Sequence, residues 1–211
     1  LRVGAVYLLG AIASAAAGLR LGGSGLWLLW PALSLSLVAL SYLALGAGGF
    51  QKRTDGTMPF ATHLLLLPYL LGARFNAWLW SAGDGVSEIG EGVWLGRLPR
   101  RFAKNGAPKF ATVVDLCAEL PSPRHAGRRI AMPALDLIPL SREELRNAAE
   151  AIEKARAHGP VLVCCALGYG RSAAAVAAWL VMTDRAPTPE AAAQRLRAIR
   201  PQIALDPRRL P

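Results

Sequence analysis

Hydrophobic and polar positions divide this chain into two regimes. Val3 to Leu19 is almost wholly apolar, and the 31 residues from Leu21 to Gln51 carry no formal charge. Within them, Leu26 to Phe50 exceeds the roughly 20 apolar residues that cross a bilayer as a helix. From about residue 83 the pattern changes to short apolar runs set between polar segments. Val93-Trp94-Leu95 (between Gly92 and Gly96), Phe110 to Cys117, Arg129 to Met132 and Val161 to Cys164 read as strands. Ser141-x-x-Glu144 forms a capping box that opens a helix to about His158, with Leu145, Ala148, Ala149 and Ile152 on one face. A helix follows Arg171 to about Thr183, and Thr188-Pro189 starts the last one. Strands alternating with helices predict an α/β layered fold with a mostly parallel central sheet, preceded by an α-helical transmembrane region.

The pattern predicts transmembrane helices at about 3–19 and 26–50 within residues 1–53, an interfacial helix and linker over 54–82, and a second domain over 83–211 that starts at Ser81-Ala82-Gly83-Asp84-Gly85. Ala and Gly in the first span allow close helix packing, Arg20 to Gly25 makes the turn, and Trp27 and Trp30 suit an interfacial belt. Thr62 to Trp80 is apolar, but Pro68 and Arg74 divide it into pieces too short to cross, so it is expected to lie along the membrane. Two spans put Lys52 and Arg53 on the same side as the second domain, which the positive-inside rule makes cytoplasmic. The first residue is Leu1, which leaves room for further spans upstream.

Composition sharpens this division. The chain of 211 residues is 53% hydrophobic yet has a formal charge of +10. Residues 1–82 hold only five basic residues and one acid, so most of the charge belongs to the second domain. Basic residues without interleaved aromatics point to an anionic substrate or membrane surface and away from nucleic acid. Three cysteines, two of them adjacent, form no disulfide framework and suggest a reducing compartment with one reactive thiol. His63, His125 and His158 lack metal-ligand spacing, so no metal or other cofactor is expected.

The chemistry concentrates in Val161-Leu162-Val163-Cys164-Cys165-Ala166-Leu167-Gly168-Tyr169-Gly170-Arg171-Ser172. A buried strand ends at a cysteine, a glycine-containing loop follows, and a helix begins at an arginine. Backbone N–H groups of such a loop converge on one point, where the helix N-terminus favours negative charge. Cys165 is the candidate nucleophile. Ala166, Leu167, Gly168, Tyr169, Gly170 and Arg171 are the candidate phosphate-binding loop, the arginine gripping two phosphate oxygens with its planar fork.

Cys165-x5-Arg171 followed by Ser172 closely resembles the signature of the dual-specificity phosphatases, the cysteine-dependent protein and lipid phosphatases. Arg200-Pro201 with Ile203 to Asp206 is similar to that family's closing segment, so the resemblance covers about residues 85–209. It implies a phosphoric monoester hydrolase, of dual-specificity or protein-tyrosine type, that works through a cysteinyl-phosphate, with Ser172 assisting departure of the thiolate. It also implies a general acid in an upstream loop, a place that Asp136 fills. Asp115, within a strand pattern, reads as structural. The low-molecular-weight phosphatases place their loop and acid in the opposite order.

The chain departs from the family at Cys164, where histidine usually orients the loop. That leaves a catalytically weakened phospho-ligand binding module as the alternative. Asp115-Leu116-Cys117-Ala118-Glu119 is similar to a segment of the phosphatase-and-tensin lipid phosphatases, which implies Cys117 as a possible redox partner of Cys165. Arg124, Arg128 and Arg129 read as solvated surface charge. The Arg-Ala-rich sequence with an N-terminal membrane part resembles bacterial members and implies a bacterial inner-membrane protein. Its expected partners are the lipid bilayer and a substrate that is either a phosphorylated lipid, such as phosphatidylglycerophosphate, or a phosphotyrosine or phosphoserine protein.

Overall fold

The computed structural model describes residues 2–80, 85–99, 110–123 and 127–210. Helix α1 (Arg2–Leu21) turns at Gly22 and Gly23, whose φ angles of 58° and 48° lie in the left-handed region. A continuous helical stretch, Gly23–Phe50, returns along it; its central part is α2 (Leu29–Leu40). Both stretches are long and apolar enough to cross a membrane. Gly4, Ala11 and Gly18 are the buried residues of α1, seven apart. A Cβ on Gly4 would lie 2.7 Å from Leu43 Cγ, and one on Gly18 would lie 3.1 Å from the Gly25 carbonyl oxygen. The small residues are there because the two backbones approach too closely for anything larger.

The apolar segment that follows forms two helices, α3 (Phe60–Leu65) and α4 (Leu67–Trp80). The break falls at Leu66 rather than at Pro68, which occupies the first turn of α4, where its missing N–H costs nothing. One side of the pair is buried through Leu66 and Leu70. The other turns Phe60, Leu71, Phe75 and Trp80 outward.

Among the described residues there is one five-stranded sheet: β1 (Val86–Gly90), β2 (Val93–Arg97), β3 (Thr112–Cys117), β4 (Arg128–Ala134) and β5 (Val161–Cys165), in the order β1-β2-β5-β3-β4. All neighbours are parallel except β1 and β2. The hairpin strand β1 went unread in the sequence because Ser87 and Glu88 break its apolar run. Its turn is set by Glu91 and Gly92, both at positive φ. Helices α5 (Arg142–Arg156), α6 (Arg171–Met182) and α7 (Pro189–Ile199) complete the domain, with the Ser141–Glu144 capping box and the Thr188 cap as the sequence predicts. The expected domain start at Ser81 to Asp84 lies outside the described residues.

Strand alternation divides the core between the two faces of the sheet. Val161, Val163 and Cys165 of β5, with Val114 and Leu116 of β3, pack with α5, α6 and α7. Leu162 and Cys164, with Val113 and Cys117, pack with Val38, Phe50, Met58, Leu66 and Leu70 from the N-terminal helices. The apolar helices therefore pack against one face of the sheet.

A buried ion cluster fastens this junction. Asp115 meets Lys52 Nζ at 2.8 Å and Arg129 Nη1 at 2.9 Å, and it accepts from Ser122 Oγ and from the Cys117 N–H. The Lys52 side chain is 1% exposed against the domain. One sequence expectation is corrected here. Arg129 is not solvated, because Asp115 in the middle of a buried strand requires counter-charge. Arg128 is exposed, and Arg124 lies outside the described residues.

Candidate active site

The loop 166–170 joins the carboxyl end of the central strand β5 to the N-terminus of α6, where open α/β sheets bind ligands. Gly168 has φ 83°, and a Cβ there would sit 2.4 Å from the Gly96 carbonyl carbon and 2.7 Å from Arg97 N. Only glycine lets the loop turn this tightly against β2. The Gly168 N–H donates to Cys165 Sγ at 3.3 Å, and Ser172 Oγ lies 3.2 Å from the same sulfur. Gly170 caps α6 without a side chain, so no cap competes for the first N–H groups of the helix. Tyr169 faces outward from the loop: its hydroxyl donates to the Trp80 carbonyl at 3.2 Å, and Arg200 stacks 5.5 Å from its ring centre.

Arg171 is 4% exposed. Its Nη1 donates to Glu119 Oε2 at 2.8 Å and to the carbonyls of Leu116 and Ala134. Its Nε and Nη2 make no hydrogen bond within the protein. One edge of the guanidinium is thus held by the fold, and the other presents two parallel N–H groups, the arrangement that pairs with two oxygens, with Asp136 as the ion partner of Nη2. Burial works against this charge. Glu119, with the sulfurs of Cys117 and Cys165 and the Asp136 carboxylate, outweighs it and keeps the arginine pKa well above its ordinary value.

Glu119 is a site residue that the sequence did not single out. It is 2% exposed and accepts from Arg171, from the Asp136 N–H, from Cys117 Sγ–H at 3.4 Å and from the Tyr42 hydroxyl at 3.4 Å. One carboxylate thereby joins Arg171, the segment that carries Asp136 and the second apolar stretch. The available signal was an acid directly after the apolar run of β3, where burial demands a partner.

Asp136 sits just beyond β4, its side chain 45% exposed. Its Oδ1 lies 3.0 Å from Arg171 Nη2, close but without hydrogen-bond alignment. Leu137 beside it has φ 60° and is 75% exposed, an unusual backbone for leucine. A carboxyl group is therefore carried over the mouth of the loop on a tightly turned segment.

Cys164 points away from the loop into the apolar layer shared with the N-terminal helices, where burial, then the nearby Asp115, push its thiol pKa well up. Cys117 lies on that same face, its thiol likewise raised by burial and by Glu119. All three cysteines are free. A Cys117–Cys165 disulfide would have to break the Cys117–Glu119 and Cys165–Ser172 hydrogen bonds.

A cavity of about 610 Å³ touches the loop at Ala166 and is lined by His63, Arg74 and Arg97, and two more flank the loop. One of about 470 Å³ is lined by Cys165, Tyr169, Gly170, Arg171 and Asp136. The other, of about 400 Å³, lies between the loop and the N-terminal helices. Asp136, Leu137 and Leu167 line both.

The family model for the dual specificity phosphatase catalytic domain matches residues 94–208. The structure of PTPMT1 in complex with PI(5)P is similar in fold, with a TM-score of 0.51 and 22% identity, covering 60% of this chain and 90% of that one. The human tyrosine phosphatase-like serine/threonine/tyrosine-interacting protein has a TM-score of 0.50 and 21% identity, covering 58% and 88%. Both likenesses bear on the fold. No curated protein matches the chain.

Proposed function

Because this chain belongs to the dual specificity phosphatase family, we propose that it is a membrane-anchored phosphomonoesterase that acts through a cysteinyl-phosphate on Cys165. The observation that carries this reading is the divided guanidinium of Arg171, with Nη1 hydrogen-bonded to Glu119, Nε and Nη2 without a hydrogen bond, and Nη2 3.0 Å from the Asp136 carboxylate, in the pocket that Cys165 also lines.

In the first step the Cys165 thiolate attacks phosphorus in line. The S–P bond forms as the ester P–O bond breaks, and Asp136 gives its proton to the leaving oxygen. Loop N–H groups and the open edge of Arg171 take up charge on the equatorial oxygens. In the second step Asp136 removes a proton from water, whose oxygen attacks phosphorus. The S–P bond breaks, and the Ser172 hydroxyl stabilises the departing thiolate.

The two apolar helical stretches supply the anchor, and the exposed apolar side of α3 and α4 supports an in-plane position beside it. Exposed Arg53 and three free cysteines support a cytoplasmic domain at a bacterial inner membrane. A lipid phosphate is the favoured substrate, since tethering raises the effective concentration of bilayer headgroups at the site. Phosphate release from phosphatidylglycerophosphate, a phosphoinositide and a phosphotyrosine peptide, by wild type and Cys165→Ser, tests the function. Release that depends on Cys165 is expected. Tight phosphate-ester binding without release from any of them would identify a binding module instead.

A further inference from the structure

The cavity of about 400 Å³ between the catalytic loop and the N-terminal helices is unused by the chemistry above. Its walls include Tyr7, Leu35, Tyr69, Gly72, Leu120 and Leu137. These come from both apolar stretches, from α4 and from the catalytic domain, so the cavity exists only because the helices sit on the sheet. It falls within the size range of small-molecule sites, which are mostly apolar with a few polar groups.

We infer that this cavity is the subsite for the hydrocarbon chain of a lipid phosphate whose phosphate sits on the Cys165 loop, an inference that rests on the phosphatase reading. Three observations carry it. The cavity and the catalytic pocket adjoin, sharing Asp136, Leu137 and Leu167 as walls, so a chain in one and a phosphate in the other are a short step apart. Among the described residues lining it there are two carboxylates, Glu119 and Asp136, and no basic side chain. A second phosphate or an acidic peptide would find no counter-charge there, whereas a hydrocarbon needs none. The helices that wall it also turn Leu33, Leu71 and Phe75 outward, at 47%, 58% and 61% exposure. The slot therefore lies between an apolar outer surface and the nucleophile.

Gly72 offers the means to close it. A Cβ at this position meets no atom within 4 Å, so a larger side chain grows into open space and not into the fold.

The test uses the full chain in detergent, with butyl, hexyl and octyl phosphate and a phosphotyrosine peptide as probes. For wild type, kcat/KM is expected to rise by about fourfold for each methylene that enters the slot. Gly72→Phe is expected to flatten that series. Gly48→Phe, which also builds into open space but outside the cavity, is expected to keep it. A flat series in wild type, an unchanged slope in Gly72→Phe, a flattened slope in Gly48→Phe, or a peptide turned over better than octyl phosphate overturns the subsite while leaving the phosphatase reading intact. No release from any probe overturns both. The wild-type series decides the matter even where a variant fails to fold.

Discussion

Glu119 Oε2 lies 2.8 Å from Arg171 Nη1, and both side chains are buried. This pair fixes which edge of the guanidinium faces the catalytic loop. Because Glu119 also accepts from the Asp136 N–H and from Tyr42, Arg171, the Asp136 segment and the second apolar stretch share one anchor.

Glu119→Gln keeps an acceptor but removes the charge that holds Arg171. A charge-assisted hydrogen bond is worth about 1.5–3 kcal/mol. Since the aligned arginine is needed most in the transition state, kcat is expected to fall about 10- to 100-fold with a smaller change in KM. Steady-state kinetics on a soluble phosphomonoester measures the split. An effect on KM alone would show that Glu119 serves only ground-state binding.

Asp136→Asn is expected to lower kcat by about 10²- to 10⁴-fold, the usual range for loss of a general acid. The loss should be smaller for p-nitrophenyl phosphate, whose leaving group needs little protonation, than for an alkyl phosphate. Equal losses on the two substrates would assign Asp136 to its ion pair with Arg171 rather than to proton transfer.

Cys164 is fully buried on the face of the sheet opposite the nucleophile. Cys164→Ala is expected to cost about 1–2 kcal/mol of stability through lost packing while leaving turnover within a few-fold of wild type. Thermal inactivation and initial rates measure the two effects. A drop in turnover comparable to that of Cys165→Ser would give this thiol a part in the chemistry.

Lys52 and Asp115 join the end of the second apolar stretch to the central strands. Asp115→Ala leaves two cations, Lys52 and Arg129, without their carboxylate, and is expected to destabilise the protein by about 3–5 kcal/mol. Lys52→Met leaves Asp115 paired with Arg129 and is expected to cost less. Thermal inactivation midpoints order the two variants; the reverse order would remove Asp115 from the centre of the cluster.

Glu153 is lowered to about 2, first by its hydrogen bond to Arg156 and further by those from Trp179 and the charge of Arg185, against some desolvation. Between pH 4.5 and about 2 the unfolded chain takes up this proton and the folded chain does not. Its contribution is therefore fully present above pH 4.5 and is lost as pH falls through that window. With the side chain 38% exposed, the effect is modest. Glu153→Gln is expected to flatten the stability–pH curve below pH 4.5 and leave its shape unchanged above; an unchanged acid limb would contradict the pairing.

The catalytic loop was legible in the sequence because its parts are local: strand, cysteine, glycines, arginine and helix follow one another within twelve residues. The helices were legible from their period and caps. Glu119 was not, since its meaning comes from Arg171, 52 residues away, and from Tyr42, 77 residues away. Arg129 looked like surface charge for the same reason, because only the fold brings Asp115 to it. The edge strand β1 escaped because a strand with one solvated side carries no continuous apolar run. The slot beside the loop was invisible, since residues from six separate segments wall it.

The most direct test of the account is to trap the phosphoenzyme. The full-length protein, acid-quenched while turning over a phosphomonoester, is digested and its phosphate adduct located by mass spectrometry. The expected result is a single phosphocysteine at Cys165, accumulating further in Asp136→Asn when p-nitrophenyl phosphate is the substrate, and absent in Cys165→Ser. Phosphate release by Cys165→Ser, or an adduct at Cys164 or Cys117, would contradict it.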